Sequence, residues 1–218
     1  WGTIAIVGPK AKNSKIYHTN FDGGSGDKIN NISFIGMLSI HNSNKIEIKN
    51  ISVQNNSNFD DMVHIVYVNE INISDSIFSN ANADAIDIDS SNNVYIDKII
   101  INNANNDCLD FMQTNATINN STFNLCKDKG LSIGERSNII IDSSEITNNL
   151  VGLESKDDSI VNIKESIIKN NQIGLSAYKK NWRYGNGGYI NYTNIDFSNN
   201  INKIKADENS NVENILNE

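Results

Sequence analysis

Proline is almost missing from this chain: Pro9 is the single example in 218 residues. Proline cannot donate a backbone hydrogen bond, so strands paired on both edges exclude it. Arginine is nearly as scarce, with Arg136 and Arg183 the two present. Positive charge as a whole falls short of negative, 18 Lys and Arg against 26 Asp and Glu, for a formal net charge of −8. Naked nucleic acid and anionic membranes are poor partners for that balance. No apolar run approaches the roughly 18 residues that a membrane span needs. The two cysteines, Cys108 and Cys126, make no disulfide framework. They fall at different positions of one repeat unit, which favours two buried free thiols over a bridge. Cys/His zinc spacing and a Ser-His-Asp arrangement are missing too. Gly23-Gly24-Ser25-Gly26 lacks the Lys-Ser/Thr of a phosphate loop. There is no starting Met and no signal peptide. The chain opens as Trp1-Gly-Thr-Ile, already strand-like, which reads as a processed chain or a piece of a longer one.

What the chain has instead is a repeat. One apolar column runs Ile16, Ile48, Ile73, Ile96, Ile118, Ile141, Ile163, Tyr192. A second, five residues on, runs Phe21, Val53, Phe78, Ile101, Phe123, Ile146, Ile168, Phe197. Both columns carry the spacings 32, 25, 23, 22, 23, 22 and 29. A third strand supplies the inward pairs Leu38/Ile40, Val63/Ile65, Ile86/Ile88, Leu109/Phe111, Leu131/Ile133, Leu153/Ser155, Leu175/Ala177 and Ile204/Ala206. Alternation of period two means strands. Recurrence near 22 residues means that each strand returns one layer up. The expectation is an all-β, right-handed parallel solenoid of about eight coils of 22–25 residues, forming one domain over 1–218 and roughly 40 Å long at ~4.8 Å per coil. The longer intervals mark insertions at Gly23–Asp27 and at 178–188. A further column, Asn55, Asn80, Asn103, Leu125, Asn148, Asn170 and Asn199, predicts stacked amides at a turn.

The chemistry-bearing residues fall on the outer face of the third strand. Its outward column reads Ser39, His64, Asp87, Asp110, Ser132, Glu154, Ser176, with Asp61, Asp84, Asp107 and Lys129 beside it and His41 and Asp89 on the other flank. Like charges one coil apart repel, so a chain that stacks them is a candidate for using them. Three uses are open. Oxygens of Asp61, Asp84 and Asp107 could hold a divalent cation, Ca²⁺ foremost. Two carboxylates could act as acid and base on a glycosidic bond. His64 could be a general base beside Asp87 and Asp110. The competing view is a solvated polar face. Asp84 and Asp107 also stand as substrate-binding candidates. The insertion Lys179-Lys-Asn-Trp-Arg-Tyr-Gly-Asn-Gly-Gly188 is basic and aromatic. Trp182 and Tyr184 could stack on sugar rings while Lys180 and Arg183 grip an anionic group. Alternatively Trp182 folds down on the solenoid, and Glu154 and Asp157 fix the loop by ion pairs.

The repeat resembles the right-handed parallel β-helix superfamily, which includes pectate lyases, alginate epimerases and NosD-like periplasmic proteins. Asp84-Ala-Ile-Asp-Ile-Asp89, Asp128-Lys-Gly-Leu-Ser-Ile-Gly-Glu135 and Ala177–Gly188 resemble the β-helix module of bacterial proteins that also carry a CotH-like kinase-fold domain. The resemblance implies a polysaccharide partner, further coils or a domain of the same parent protein, and a periplasmic, cell-surface or extracellular location. It implies a carbohydrate-active hydrolase, lyase or epimerase if the chain is an enzyme, and otherwise a rigid spacer or adhesion scaffold. An Arg-based proton abstraction of the pectate-lyase kind fits poorly, because Arg136 reads as a local ion pair with Glu135.

Overall fold

The computed structural model describes residues 1–215. Three parallel sheets form a solenoid, and each coil from Asn20–Asp22 to Ile167–Lys169 contributes one strand to the third sheet, while the other two extend further. The first sheet has nine strands, among them Leu38–His41, Val63–Val66, Ile86–Asp89, Leu109–Met112, Lys129–Gly134, Val151–Lys156 and Ile173–Tyr178. The second also has nine, and the third seven. Helix is confined, among the described residues, to one 3₁₀ turn at Pro9–Ala11. The single proline thus sits outside the ladders, where its missing N–H is harmless.

The register follows the apolar columns. In the second sheet Ile48 faces Ile73, Ile73 faces Ile96, Ile96 faces Ile118, and the series continues to Tyr192. In the third sheet Phe21, Val53, Phe78, Ile101, Phe123, Ile146 and Ile168 stack in that order. These side chains fill the interior: Ile71, Phe78, Ile88, Phe111 and Phe123 are all shielded from water. One coil cannot close that interior; its neighbours above and below do.

The corners need left-handed backbone, which Asn adopts more readily than most residues. Asn55, Asn80, Asn103, Leu125, Asn148, Asn170 and Asn199 all have φ between 57° and 64°. The amide of Asn80 donates to Asn55 Oδ1 at 3.0 Å, and that of Asn103 to Asn80 Oδ1 at 2.7 Å. Where Leu125 interrupts, the chain of amides detours: Asn124 donates to Asn102 and Asn148 donates to Asn124. A second corner is capped by hydroxyls, with the Oγ of Ser91, Thr114, Ser137 and Ser159 each accepting a backbone N–H from the coil below.

One expectation is overturned. Cys108 and Cys126 form a disulfide across 18 residues, with Cα atoms 5.5 Å apart. They occupy different columns, but the corner after Thr122–Asn124 brings the end of this coil back beside its own start, just before Leu109–Met112. Column spacing measures vertical neighbours and misses such diagonals.

Both insertions border the first sheet. The earlier one lies between a third-sheet and a first-sheet strand and closes an antiparallel hairpin, Asp27–Ile29 with Ile32–Phe34. The later one, 178–188, leaves the first sheet at Tyr178 and enters the second at Tyr189. The solenoid is therefore elaborated along the long edges of a single sheet.

Candidate functional site

The outer face of that sheet is not the flat, wet surface that outward residues usually make. Ser39, His64, Ser132, Glu154 and Ser176 are all buried, and Asp87 and Asp110 are half-buried. On the second sheet the corresponding outward residues Asn72, Tyr95 and Ile140 stand exposed. The stack itself is in register: Ser39 faces His64, His64 faces Asp87, Asp87 faces Asp110, and Asp110 faces Ser132. Adjacent members are thus one strand spacing apart, about 4.8 Å between Cα atoms.

His64 sits at the centre of the polar contacts. Its Nε2 lies 3.8 Å from Asp87 Oδ2 and 3.9 Å from Asp89 Oδ2. Its Nδ1 is 3.0 Å from His41 Nε2, a contact between rings one coil and two residues apart. His41 in turn lies against Phe34 of the hairpin, ring centroids 5.1 Å apart. Burial, reinforced by His64, pushes the His41 pKa down to about 4, so its ring is neutral at physiological pH.

The carboxylates respond in the opposite sense. Burial, with repulsion from Asp89 and Asp61, pushes Asp87 up to about 9. Burial, with repulsion from Asp84 and Asp60, pushes Asp61 up to about 8. Asp107 rises to about 7 through burial, opposed by Lys129. Asp84 rises to about 6 through burial, opposed by the N–H that Asp107 donates to it. Each shift has the same origin: charge removed from water and crowded by like charge.

Asp84 and Asp107 also carry structure. Asp84 Oδ1 accepts the Asp107 N–H at 2.7 Å, and Asp107 Oδ1 accepts the Lys129 N–H at 2.9 Å. Each caps the coil above it. The tight cluster of metal-ligating groups is Asp61, His64 and Asp87, whose donor atoms lie within 4.8 Å of one another. It keeps Asp61 from the set expected of the sequence and draws its other members from the central stack.

The acidic run ends where two lysines enter. Lys129 Nζ lies 2.5 Å from Asp128, 3.5 Å from Asp107 and 4.0 Å from Glu154. Lys156, buried, donates to Ser132 Oγ at 2.8 Å and lies 3.8 Å from Glu154. The Tyr178 hydroxyl donates to Glu154 at 3.2 Å, and burial beside that carboxylate pushes its pKa up to about 12.

The 178–188 loop is held from below by two aspartates, and not by the ion pairs expected. Asp157 Oδ1 accepts the N–H groups of Lys180 and Asn181, both at 2.8 Å. Asp158 accepts those of Gly185 and Asn186. Arg136 pairs with Asp158 at 3.6 Å, and not with Glu135, and stacks on Tyr184 at 5.4 Å. Trp182 does not fold down: 86% of it is exposed, with Lys180 and Arg183 also exposed nearby. Asp158 is the residue that sequence reasoning left out, while His41 and Asp157 were named there without the ring contact and the backbone N–H bonds that they make. Asp157 and Asp158 both have positive φ, at 55° and 60°, but their partners lie more than 20 residues away and share no column with them.

A cleft of about 550 Å³ lies elsewhere, along the asparagine corner between Asn103 and Gln172. Lys127 is the one ionisable residue in its lining. The acidic residues of the first sheet do not line it.

The sequence model of the right-handed beta helix region matches residues 61–216, and the chain belongs to that family. No curated protein matches the chain by sequence. Among solved structures, the periplasmic alginate epimerase AlgG superposes with a TM-score of 0.69 at 9% identity, covering 93% of this chain and 50% of that one. The Agl-KA catalytic domain gives 0.65 at 11% identity, covering 96% and 48%. The tailspike protein of E. coli bacteriophage HK620, solved as a D339N mutant with a pentasaccharide, gives 0.50 at 9%, covering 91% and 48%. The chain spans about half the length of each, and at these identities the likeness is one of fold.

Proposed function

We propose that this β-helix binds a polysaccharide along the outer face of its first sheet and cleaves it there by acid–base catalysis. Asp87 serves as the proton donor and Asp110 as the partner carboxylate. The observation that carries the reading is the in-register His64/Asp87/Asp110 stack on a half-buried face, flanked by both insertions of the solenoid. Glycoside hydrolysis needs two carboxylates across one bond, one holding a proton and the other not. Asp87 keeps its proton at neutral pH because burial and its neighbours disfavour the anion. Asp110, one coil up, is in position to be the second group.

The charge of the face selects among substrates. Asp60, Asp84, Asp89 and Asp110 gather around the protonated Asp87 and Asp61 with no base among them but His64, so a uronic-acid polymer is disfavoured relative to a neutral glycan. That favours hydrolysis over the lyase or epimerase chemistry of anionic polymers. Trp182, exposed on a loop anchored by Asp157 and Asp158, offers a ring face for a sugar bound further along. The disulfide supports a location outside the cytosol, in the periplasm, at the cell surface or beyond it.

The test is a panel of neutral and acidic oligosaccharides with product detection, run on metal-free protein. The proposal expects products from a neutral glycan, lost in Asp110→Asn and in Asp87→Asn, with binding retained. Binding without products from any glycan would leave a non-catalytic adhesion or spacer module as the function.

A further inference from the structure

Asp61 is out of place as a surface acid. It is 2% exposed, and its Oδ2 has no hydrogen-bond partner. A buried polar atom normally finds one, because leaving it unpaired forfeits its hydration without return. This atom's carboxylate sits within 4.8 Å of the ligating atoms of His64 and Asp87. The gaps around His64 Nε2 point the same way. Its distances of 3.8 and 3.9 Å to Asp87 and Asp89 are too long for hydrogen bonds. Two bonds of about 2.0–2.2 Å meeting at a tetrahedral ion set their ligand atoms roughly 3.3–3.6 Å apart, so an inward movement of a few tenths of an ångström would seat one ion between them.

We infer that Asp61, His64 and Asp87 form a binding site for a divalent first-row transition metal, with Asp89 beside it. The donor set decides the class of ion. Ca²⁺ and Mg²⁺ take oxygen ligands, whereas one imidazole with two carboxylates suits Zn²⁺ and its neighbours. The ring behind the site is arranged for this. His64 Nδ1 is 3.0 Å from His41 Nε2, so His64 can donate that N–H to His41 and leave Nε2 as the free lone pair facing the carboxylates. Metal-bound histidines characteristically fix their other ring nitrogen in this manner. His41 is then a positioning residue, held by Phe34 of the hairpin.

The inference goes beyond the glycan reading and is independent of it. The two meet at Asp87: as a metal ligand it carries no proton to donate. Bound metal and acid catalysis through Asp87 therefore exclude one another, and Zn²⁺ should inhibit any glycan cleavage that the metal-free chain performs.

The experiment is titration of EDTA-stripped, dialysed protein with Zn²⁺ and, in parallel, Ca²⁺. It is followed by calorimetry and by melting temperature, with Co²⁺ as a visible-absorbing probe of imidazole ligation. The expected result is one Zn²⁺ per chain, bound at least 100-fold more tightly than Ca²⁺. His64→Gln and Asp61→Asn should each weaken Zn²⁺ at least 10-fold and change the Co²⁺ spectrum. Asp110→Asn and His18→Gln should leave both as they are. Zn²⁺ binding unchanged in both His64→Gln and Asp61→Asn, equal affinity for Ca²⁺, or no stoichiometric binding would overturn the inference. Loss of glycan cleavage in Asp110→Asn with Zn²⁺ binding intact separates the two readings.

Discussion

Replacing Asp87 with Asn should stabilise this protein, and increasingly so as pH rises. In the folded chain the Asp87 carboxyl titrates at about 9, against an ordinary value of 3.8. The folded state therefore keeps a proton that the unfolded state has already released. Stability from this group is highest below about pH 4, falls steadily as pH climbs toward 9, and levels off above that. About 5 pKa units at 1.36 kcal/mol each set a ceiling of about 7 kcal/mol. The side chain retains 18% exposure, and water at its open edge together with relaxation of Asp61 and Asp89 lowers the figure. About 2–3 kcal/mol is the working magnitude for removing one buried, crowded charge. For a chain of this size that corresponds to about 5–10 °C in melting temperature. The assay is thermal melting of wild type and Asp87→Asn in EDTA at pH 4, 7 and 9.5. The two should coincide at pH 4 and diverge to their widest gap at pH 9.5, with the variant the more stable. A constant offset across pH, or a variant less stable at pH 9.5, would refute the buried, proton-holding environment assigned to Asp87.

Other expectations follow from single contacts. Opening the disulfide by Cys108→Ser with Cys126→Ser frees an 18-residue span and should cost about 3 kcal/mol; an unchanged urea midpoint would refute it. Asn80→Ala breaks two links of the amide ladder at a residue with φ 58° and should cost about 1–2 kcal/mol by the same assay. Asp157→Ala removes the acceptor for the Lys180 and Asn181 N–H groups. It should raise protease sensitivity at 179–186 while the melting of the coils shifts by no more than about 2–3 kcal/mol equivalent.

The coils were legible in the sequence because a solenoid writes its architecture as spacing. Ile48, Ile73, Ile96 and Ile118 are vertical neighbours, and vertical neighbours recur at the coil length. The His64/Asp87/Asp110 stack was legible for the same reason. What spacing does not encode is anything diagonal or lateral. The Cys108–Cys126 bridge crosses a corner, and the His41–His64 contact joins two different columns. Burial was the other gap. Outward residues on a sheet are ordinarily wet, and nothing in the repeat says that Ser132 and Glu154 are shielded. That follows from long side chains lying across the face, Lys156 on Ser132 and Tyr178 on Glu154.

The most direct measurement is the pH dependence of product release from a neutral oligosaccharide by metal-free protein. Catalysis by a protonated Asp87 predicts a rate that falls on the alkaline side near pH 9 and is abolished in Asp110→Asn. No product at any pH, or an Asp110→Asn variant as active as wild type, would contradict it.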